Sequence, residues 1–336
     1  MSKANDSSKI KKLSGYDLSG FSLMGSDLAG AHLSQAKLRG ANLAGADLSG
    51  ADLSQADLSG ANLSGADLYK AKFAGAKLTG ANLSHCDATG ADFRDAKLSA
   101  ANFVASKLAE CKFSGAVLNG ADFRDCDLSA ADLSHGKLTG AIFANANLSG
   151  ADFSKSKLFG AKLQGVNLNG ADLRNTDLGG ARLKNANLRK ADLNSANLFS
   201  ADLSQADLRD TKFECANLRS SSLSGAQLVS ADLNGANLSS SRLSRADLSQ
   251  ASMEETNLSS AQVSGSILTQ SNIKAANLIA TGLSKKFTLT EFPDIKFSDK
   301  TTWDQIIYRR NKVSQSHAKT IEKEAKKKGF FSRLFS

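Results

Sequence analysis

The chain has 336 residues, a single proline, four cysteines and a formal net charge of +9. It contains no eighteen-residue apolar run and no charged-then-apolar leader, so neither a membrane-spanning helix nor a signal peptide is expected, and a soluble, cytoplasmic protein is. The charge is uneven: residues 284–336 carry +7 and residues 1–12 carry +3, which leaves the body between them at −1.

Residues 1–12 form a short basic segment, expected as a disordered arm. From Leu13 to Leu283 a Leu or Phe then returns every five residues without a slip, except that Ala88, Met253, Val263 and Ile273 hold four of the places. Two residues before each centre stands a small residue, usually Ala, as in Ala41-Asn42-Leu43-Ala44-Gly45. A period of five fits neither a helix nor a flat strand, so it must describe a repeating unit of turn and bridge. The one proline, Pro293, lies outside this run, as a ladder that uses backbone N–H groups requires.

One large and one small inward residue per five suit a coil of twenty residues with four sides. The eight centre phenylalanines test this, because all fall at positions ending in 3. Phe73, Phe93 and Phe113 should then stack in one column, with Phe103, Phe123 and Phe143 opposite. Cys86, Cys111 and Cys126 occupy the small inward place and are expected as core residues in a reducing compartment. Ala88 suggests a void that Cys86 partly fills.

These residues resemble the pentapeptide-repeat family, whose consensus is A(D/N)LXX, across residues 13–283. The resemblance implies an all-β solenoid, a right-handed quadrilateral β-helix of about 14 coils and roughly 65 Å in length at ~4.8 Å per coil. The ends of such a solenoid need covers. At the start the small place holds Lys11, Tyr16 and Phe21, so the first coil is expected to be non-standard. After Leu283 the beat slips, and Phe287, Phe292 and Phe297 recur one residue out of phase, giving an irregular cap over 284–302. Thr302 and Gln305 have capping-box spacing, and the stripe Trp303, Ile306, Ile307, Val313, Ala318 and Ile321 predicts a C-terminal α-helix from about 303 to 328. A homodimer through that helix is one expectation.

Taken modulo twenty, the residue before each centre falls into four outward columns. One holds Asp27, Asp47, Asp67, Asp87, Lys107 and Asp127. The opposite one holds Lys37, Asp57, Lys77, Lys97, Val117, Lys137 and Lys157. A third alternates through Lys72, Asp92, Lys112 and Asp132, with opposite charges expected to face each other across coils. Asn42, Asn62, Asn82 and Asn102 form an asparagine ladder, as do Asn197, Asn217, Asn237, Asn257 and Asn277. Stacked like charges repel by about 1 kcal/mol even in water. The Lys column is therefore a candidate for an acidic partner and the Asp column for a basic one, the alternative being that these residue types are simply tolerated there.

The tail departs from the repeat. Lys326, Lys327 and Lys328 precede Gly329, and Phe330, Phe331, Leu334 and Phe335 surround Arg333, a combination suited to a membrane surface or a partner's groove. The alternatives are a frayed, solvated end and docking on the solenoid's own terminus.

Chemistry is not signalled. There is no phosphate-binding glycine loop, no Cys-x-x-Cys, no metal-binding histidine pair and no Cys/His couple, so no catalytic residue, cofactor or metal is expected. The Asn-Leu-Ser sequons are products of the repeat. The leading expectation is a non-catalytic scaffold for protein–protein interaction, with direct nucleic-acid binding not expected. The resemblance also implies two alternatives, a DNA-mimic modulator of DNA gyrase or topoisomerase and a secreted bacterial effector held through its tail.

Overall fold

The computed structural model describes residues 12–278, residue 281 and the backbone of 302–303. They belong to two compact units, Met1–Asp192 and Leu193–Ser336, each with its own ladder of parallel bridges. In the first unit the residue before each centre bridges to its counterpart twenty positions on, from Lys12↔His32 to Asp172↔Asp192. In the second the same step runs from Asn197↔Asn217 to Asn257↔Asn277. The twenty-residue coil read from the phenylalanines is therefore the repeat of the backbone, and the four outward columns have the expected membership.

A five-residue unit stands because its N–H groups are accounted for. Around Leu53, the Asp52 N–H donates to Ala31 in the preceding coil at 2.8 Å, and the Leu53 and Gln55 N–H groups donate to Lys72 and Ala74 in the next at 2.7 and 2.9 Å. The Ala56 N–H closes the turn on the Leu53 carbonyl at 3.0 Å. The fifth, on Ser54, donates to the Asp52 carboxylate at 3.0 Å. The second unit repeats the scheme: four backbone bonds serve Asp232, Leu233, Gly235 and Ala236, and the Asn234 N–H donates to Asp232 at 3.1 Å. An Asp or Asn before the centre is thus the acceptor for the one turn N–H that the backbone leaves over.

The third residue of each turn has φ > 0, the signature of a type II turn, at every fifth position from Gly15 to Ala275. In the first unit 20 of these are glycine and 16 are not, whereas in the second 3 are glycine and 14 are not. The ladder is thus strong enough to hold non-glycine residues in the left-handed region, at a cost of roughly 1 kcal/mol each.

Inside, the Leu and Phe centres from Leu28 to Leu278 and most small residues are buried. Phe73, Phe93 and Phe113 stack face to face at 4.7 and 4.9 Å, and Phe103, Phe123 and Phe143 stack at 4.9 Å. The two columns meet edge to face at 5.9–6.0 Å. Ala88 is buried, with the Cys111 thiol donating to its carbonyl at 2.9 Å. Small polar residues fit the inward place because a neighbouring centre carbonyl accepts from them, as Leu83 accepts from Ser106 at 2.8 Å and Leu233 from Thr256 at 2.7 Å.

All four cysteines are free. Burial pushes the Cys86 and Cys126 thiols up to about 12 and raises Cys111 further, while Cys215 is exposed. Native protein at neutral pH is therefore expected to take up one equivalent of a maleimide, at Cys215, and four after unfolding, as counted by intact mass. A second label on the native protein would contradict this burial.

Three expectations about the ends need correction. Lys12, assigned to the arm, is part of the ladder through its bridge to His32. The first coil has regular backbone despite its unusual side chains, and Tyr16 and Phe21 remain 60% and 58% exposed rather than acting as a cover. Trp303, expected to open a helix, instead lies in a strand. β1 (Asn277–Leu278) pairs in parallel with β2 (Thr302–Trp303), Asn277 opposite Thr302 and Leu278 opposite Trp303. An open ladder edge needs backbone partners, and Thr and Trp are good strand formers, so pairing prevails over the capping-box pattern. The arm residues 1–11, the remaining cap and the helix expected beyond 303 lie outside the described residues, and with them the proposed helix-mediated homodimer.

Candidate functional site

Hydrogen-bond accounting divides the outward columns into those that serve the fold and those that do not. Asp27, Asp47, Asp67, Asp87 and Asp127 each accept the N–H two residues on, at 3.1, 2.9, 2.9, 3.2 and 3.1 Å. The column that suggested a basic partner therefore has a structural reason to be acidic. Lys107, which interrupts it, pairs with Asp87 at 3.3 Å.

The asparagine ladders bond coil to coil. Asn62, Asn82 and Asn102 each donate to the asparagine one coil before, at 3.2, 3.3 and 3.0 Å. In the second unit Asn217 donates to Asn197 at 2.9 Å and Asn277 to Asn257 at 3.3 Å. A further ladder went unread in the sequence: Asn147 donates to Asp127, Asn167 to Asn147 and Asn187 to Asn167, at 3.0, 2.9 and 3.0 Å. It continues the column of Asp27 to Asp127 beyond its acidic residues.

The alternating column keeps its register but pairs differently from expectation. Asp92 lies opposite Lys72 and Lys112 in the bridges, yet its ion pair is with Arg94 at 2.6 Å. Arg124 clamps Asp122 in the same way at 2.6 Å. The Arg that follows a centre reaches back within its own turn, and its planar guanidinium matches a carboxylate's two oxygens, so it outcompetes a Lys one coil away. Hydrogen bonds from Arg94 and Arg174 hold the Asp92 and Asp172 carboxyls below the usual carboxylate range.

The Lys column behaves otherwise. Lys77, Lys97, Lys137 and Lys157 are exposed, and among the described residues none has a carboxylate within ion-pair distance; Lys37 reaches Asp17 at 3.6 Å on the open surface. A lysine before the centre cannot accept the turn N–H. After Lys77, Lys97 and Lys157 the N–H groups of Thr79, Ser99 and Phe159 have no acceptor among the described residues, and after Lys137 the Thr139 N–H turns to Asn119 at 3.0 Å. This column gives up hydrogen bonds that the Asp and Asn columns make.

The tail candidates Lys326, Lys327, Lys328, Phe330, Phe331, Arg333, Leu334 and Phe335 lie outside the described residues. Among those described, no cluster of three or more His, Cys, Asp or Glu could hold a metal ion, and no helix is long and apolar enough to cross a membrane.

Comparison with known proteins then decides the family. A model described as pentapeptide repeats matches residues 12–45, 26–65, 126–165, 138–175, 167–205, 201–239 and 231–270, and one described as a pentapeptide repeat region matches 50–123 and 66–143. The chain belongs to the pentapeptide-repeat family. Family membership makes the ladder of each unit a right-handed β-helix solenoid, and proteins of the family are generally non-catalytic structural or interaction proteins. No curated protein matches the chain. Among solved structures, full-length QnrB1, a plasmid-mediated fluoroquinolone resistance protein, is 22% identical over 62% of this chain and 91% of its own, with a TM-score of 0.37. HetL, a pentapeptide-repeat protein involved in heterocyst differentiation regulation in the cyanobacterium Nostoc sp. strain PCC 7120, is 27% identical over 82% and 94%, with a TM-score of 0.20. Rfr23 from the cyanobacterium Cyanothece 51142 is 26% identical over 44% and 91%, with a TM-score of 0.18. At such scores these likenesses bring no partner to this chain.

Proposed function

We propose that the protein is a non-catalytic scaffold for protein–protein interaction that presents the column Lys37, Lys77, Lys97, Lys137 and Lys157 to an acidic partner. Four turns per twenty residues support four-sided coils, about fourteen of them in the sequence from 13 to 283, which would set this column on one side. The observation that carries the reading is that Lys77, Lys97 and Lys157 stand exposed and unpaired among the described residues, where an Asp or Asn would have completed a turn. Stability alone favours the acceptor, so a lysine there is better explained by what it meets.

Reversal of Lys77, Lys97, Lys137 and Lys157 to Glu tests this. Capture of acidic proteins by the full chain is expected to fall while the circular dichroism spectrum is unchanged. Identical partners on both baits would sink the reading. A second reading, modulation of DNA gyrase or another topoisomerase, is favoured by the four stacked carboxylates Asp27, Asp47, Asp67 and Asp87. A supercoiling assay in which the protein leaves gyrase activity unchanged removes it.

A further inference from the structure

The strongest unassigned feature of the first unit lies where the Lys column approaches Asp192. Lys137 and Lys157 are followed, one pentapeptide along the coil, by Lys162, Arg182 and Lys184, with Lys162 bridged to Arg182. All five are exposed, and none has an ion pair among the described residues, unlike Arg94, Arg124 and Arg174, which clamp their own carboxylates. The corner separating the two columns is made by Thr139-Gly140, Phe159-Gly160 and Gly179-Gly180; nothing lies within 4 Å of a Cβ added at Gly140, Gly160 or Gly180, so the side chains that stand between the two rows of cations are those of Thr139 and Phe159. Beside Lys157, Phe159 is 56% exposed. Its ring rests on Gly179, where an added Cβ would come within 3.0 Å of it, so the ring is supported from beneath and open above.

We infer that Lys137, Lys157, Lys162, Arg182 and Lys184, set around Phe159, form a docking site for a short acidic segment of a partner protein, with an apolar residue of that segment on the phenylalanine. This rests on the scaffold reading and narrows it to one place and one ligand chemistry. An apolar anchor within a charged rim is the usual anatomy of a protein contact. The local rule is also broken here at three turns: after Lys157, Lys162 and Arg182 the N–H groups of Phe159, Gln164 and Lys184 have no acceptor among the described residues. Departures from local rules concentrate where function overrides stability.

The extent of the site selects the ligand. Three coils at ~4.8 Å give about 15 Å, the span of roughly five extended residues. Beyond it, Asp125 stands in the coil before Lys137, and Asp152 and Asp192 run along the neighbouring column, where Asp172 is paired with Arg174. A long nucleic-acid strand or an anionic bilayer would meet those carboxylates, whereas a short acidic segment need not. Within the site Asp177 serves its own turn, accepting the Gly179 N–H at 3.1 Å.

The test uses the full chain and a fluorescein-labelled synthetic peptide of about ten residues, Asp and Glu around a single Leu. Binding is followed by anisotropy at low salt, with oligo(dT) and phosphatidylserine vesicles as the other arms. The decisive variant is Lys157→Asn, Lys162→Asn, Arg182→Asn, because each change supplies a turn acceptor and so protects the fold while removing charge. Peptide affinity is expected to fall about tenfold or more in this variant and several-fold in Phe159→Ala. It should be unaltered in Lys72→Asn, Lys112→Asn, which removes two exposed cations outside the Lys column. Unchanged peptide affinity in the triple variant overturns the inference, as does tighter binding of the oligonucleotide or the vesicles than of the peptide. If only Lys77→Asn, Lys97→Asn weakens the peptide, the scaffold reading survives and this site does not. Wild-type protein that ignores the peptide overturns the site alone, since capture by the four-lysine reversal is measured separately.

Discussion

Replacing Phe113 by alanine is expected to destabilise the first unit by about 3–5 kcal/mol, the range for removing a buried phenylalanine and leaving a cavity. Phe113 has no solvent exposure, stacks on Phe93 at 4.9 Å, and meets Phe103 and Phe123 edge to face at 5.9 and 6.0 Å. Phe93 is held by its own stack on Phe73, and Phe103 and Phe123 by theirs on each other. Phe113→Leu restores the residue that most centres carry, and a loss of less than about 1.5 kcal/mol is expected. Chemical denaturation measures both. Because each coil of a solenoid contacts only its neighbours, the loss should be local. Hydrogen exchange is expected to accelerate in the coils around residues 93–133 and to stay slow near Leu33. Uniform acceleration, or a cost for alanine no greater than for leucine, would remove the aromatic stack as the reason.

The second large effect concerns one residue and two opposite signs. Ala100 has φ +55, and its N–H donates to the Asn119 carbonyl at 3.0 Å. Glycine relieves the left-handed strain, so Ala100→Gly should stabilise by about 1 kcal/mol. Proline cannot reach positive φ and has no N–H, so Ala100→Pro should destabilise by about 3 kcal/mol or more. Equal denaturation midpoints for the glycine variant and the parent would show that the ladder imposes no strain at this corner.

The first of these expectations uses a feature that is legible in the sequence. An exact period turns a sequence into a lattice, so the faces of Phe73 through Phe143 and the asparagine ladder through Asn102 could be assigned by counting. The purpose of the Asp column could not. Its carboxylates accept turn N–H groups, which becomes visible only when the backbone donors of a pentapeptide are accounted for one by one. Without that accounting an Asp column and a Lys column look like equivalent charged stripes; with it, one maintains the turns and the other gives them up. Trp303 was misread for a related reason. A helical stripe is a local signal, and the open ladder edge at Asn277–Leu278 that pairs with Thr302–Trp303 is not. The cations Lys162, Arg182 and Lys184 do not stand out within any single column, whereas the site proposed for them turns a corner.

The pairing of β1 with β2 has a wider consequence. Its step is twenty-five residues, one pentapeptide more than the twenty of every other bridge. Parallel pairing at this ladder edge is therefore not confined to a step of twenty. Inserting one A(D/N)LXX unit elsewhere would keep every downstream leucine inward while advancing every downstream charge by one column. Inserting any number that is not a multiple of five would instead send polar residues into the core. Such a chain carries a rotary index: whole repeats re-aim its surface without rewriting its interior, so recognition can be re-addressed independently of the sequence that keeps it folded.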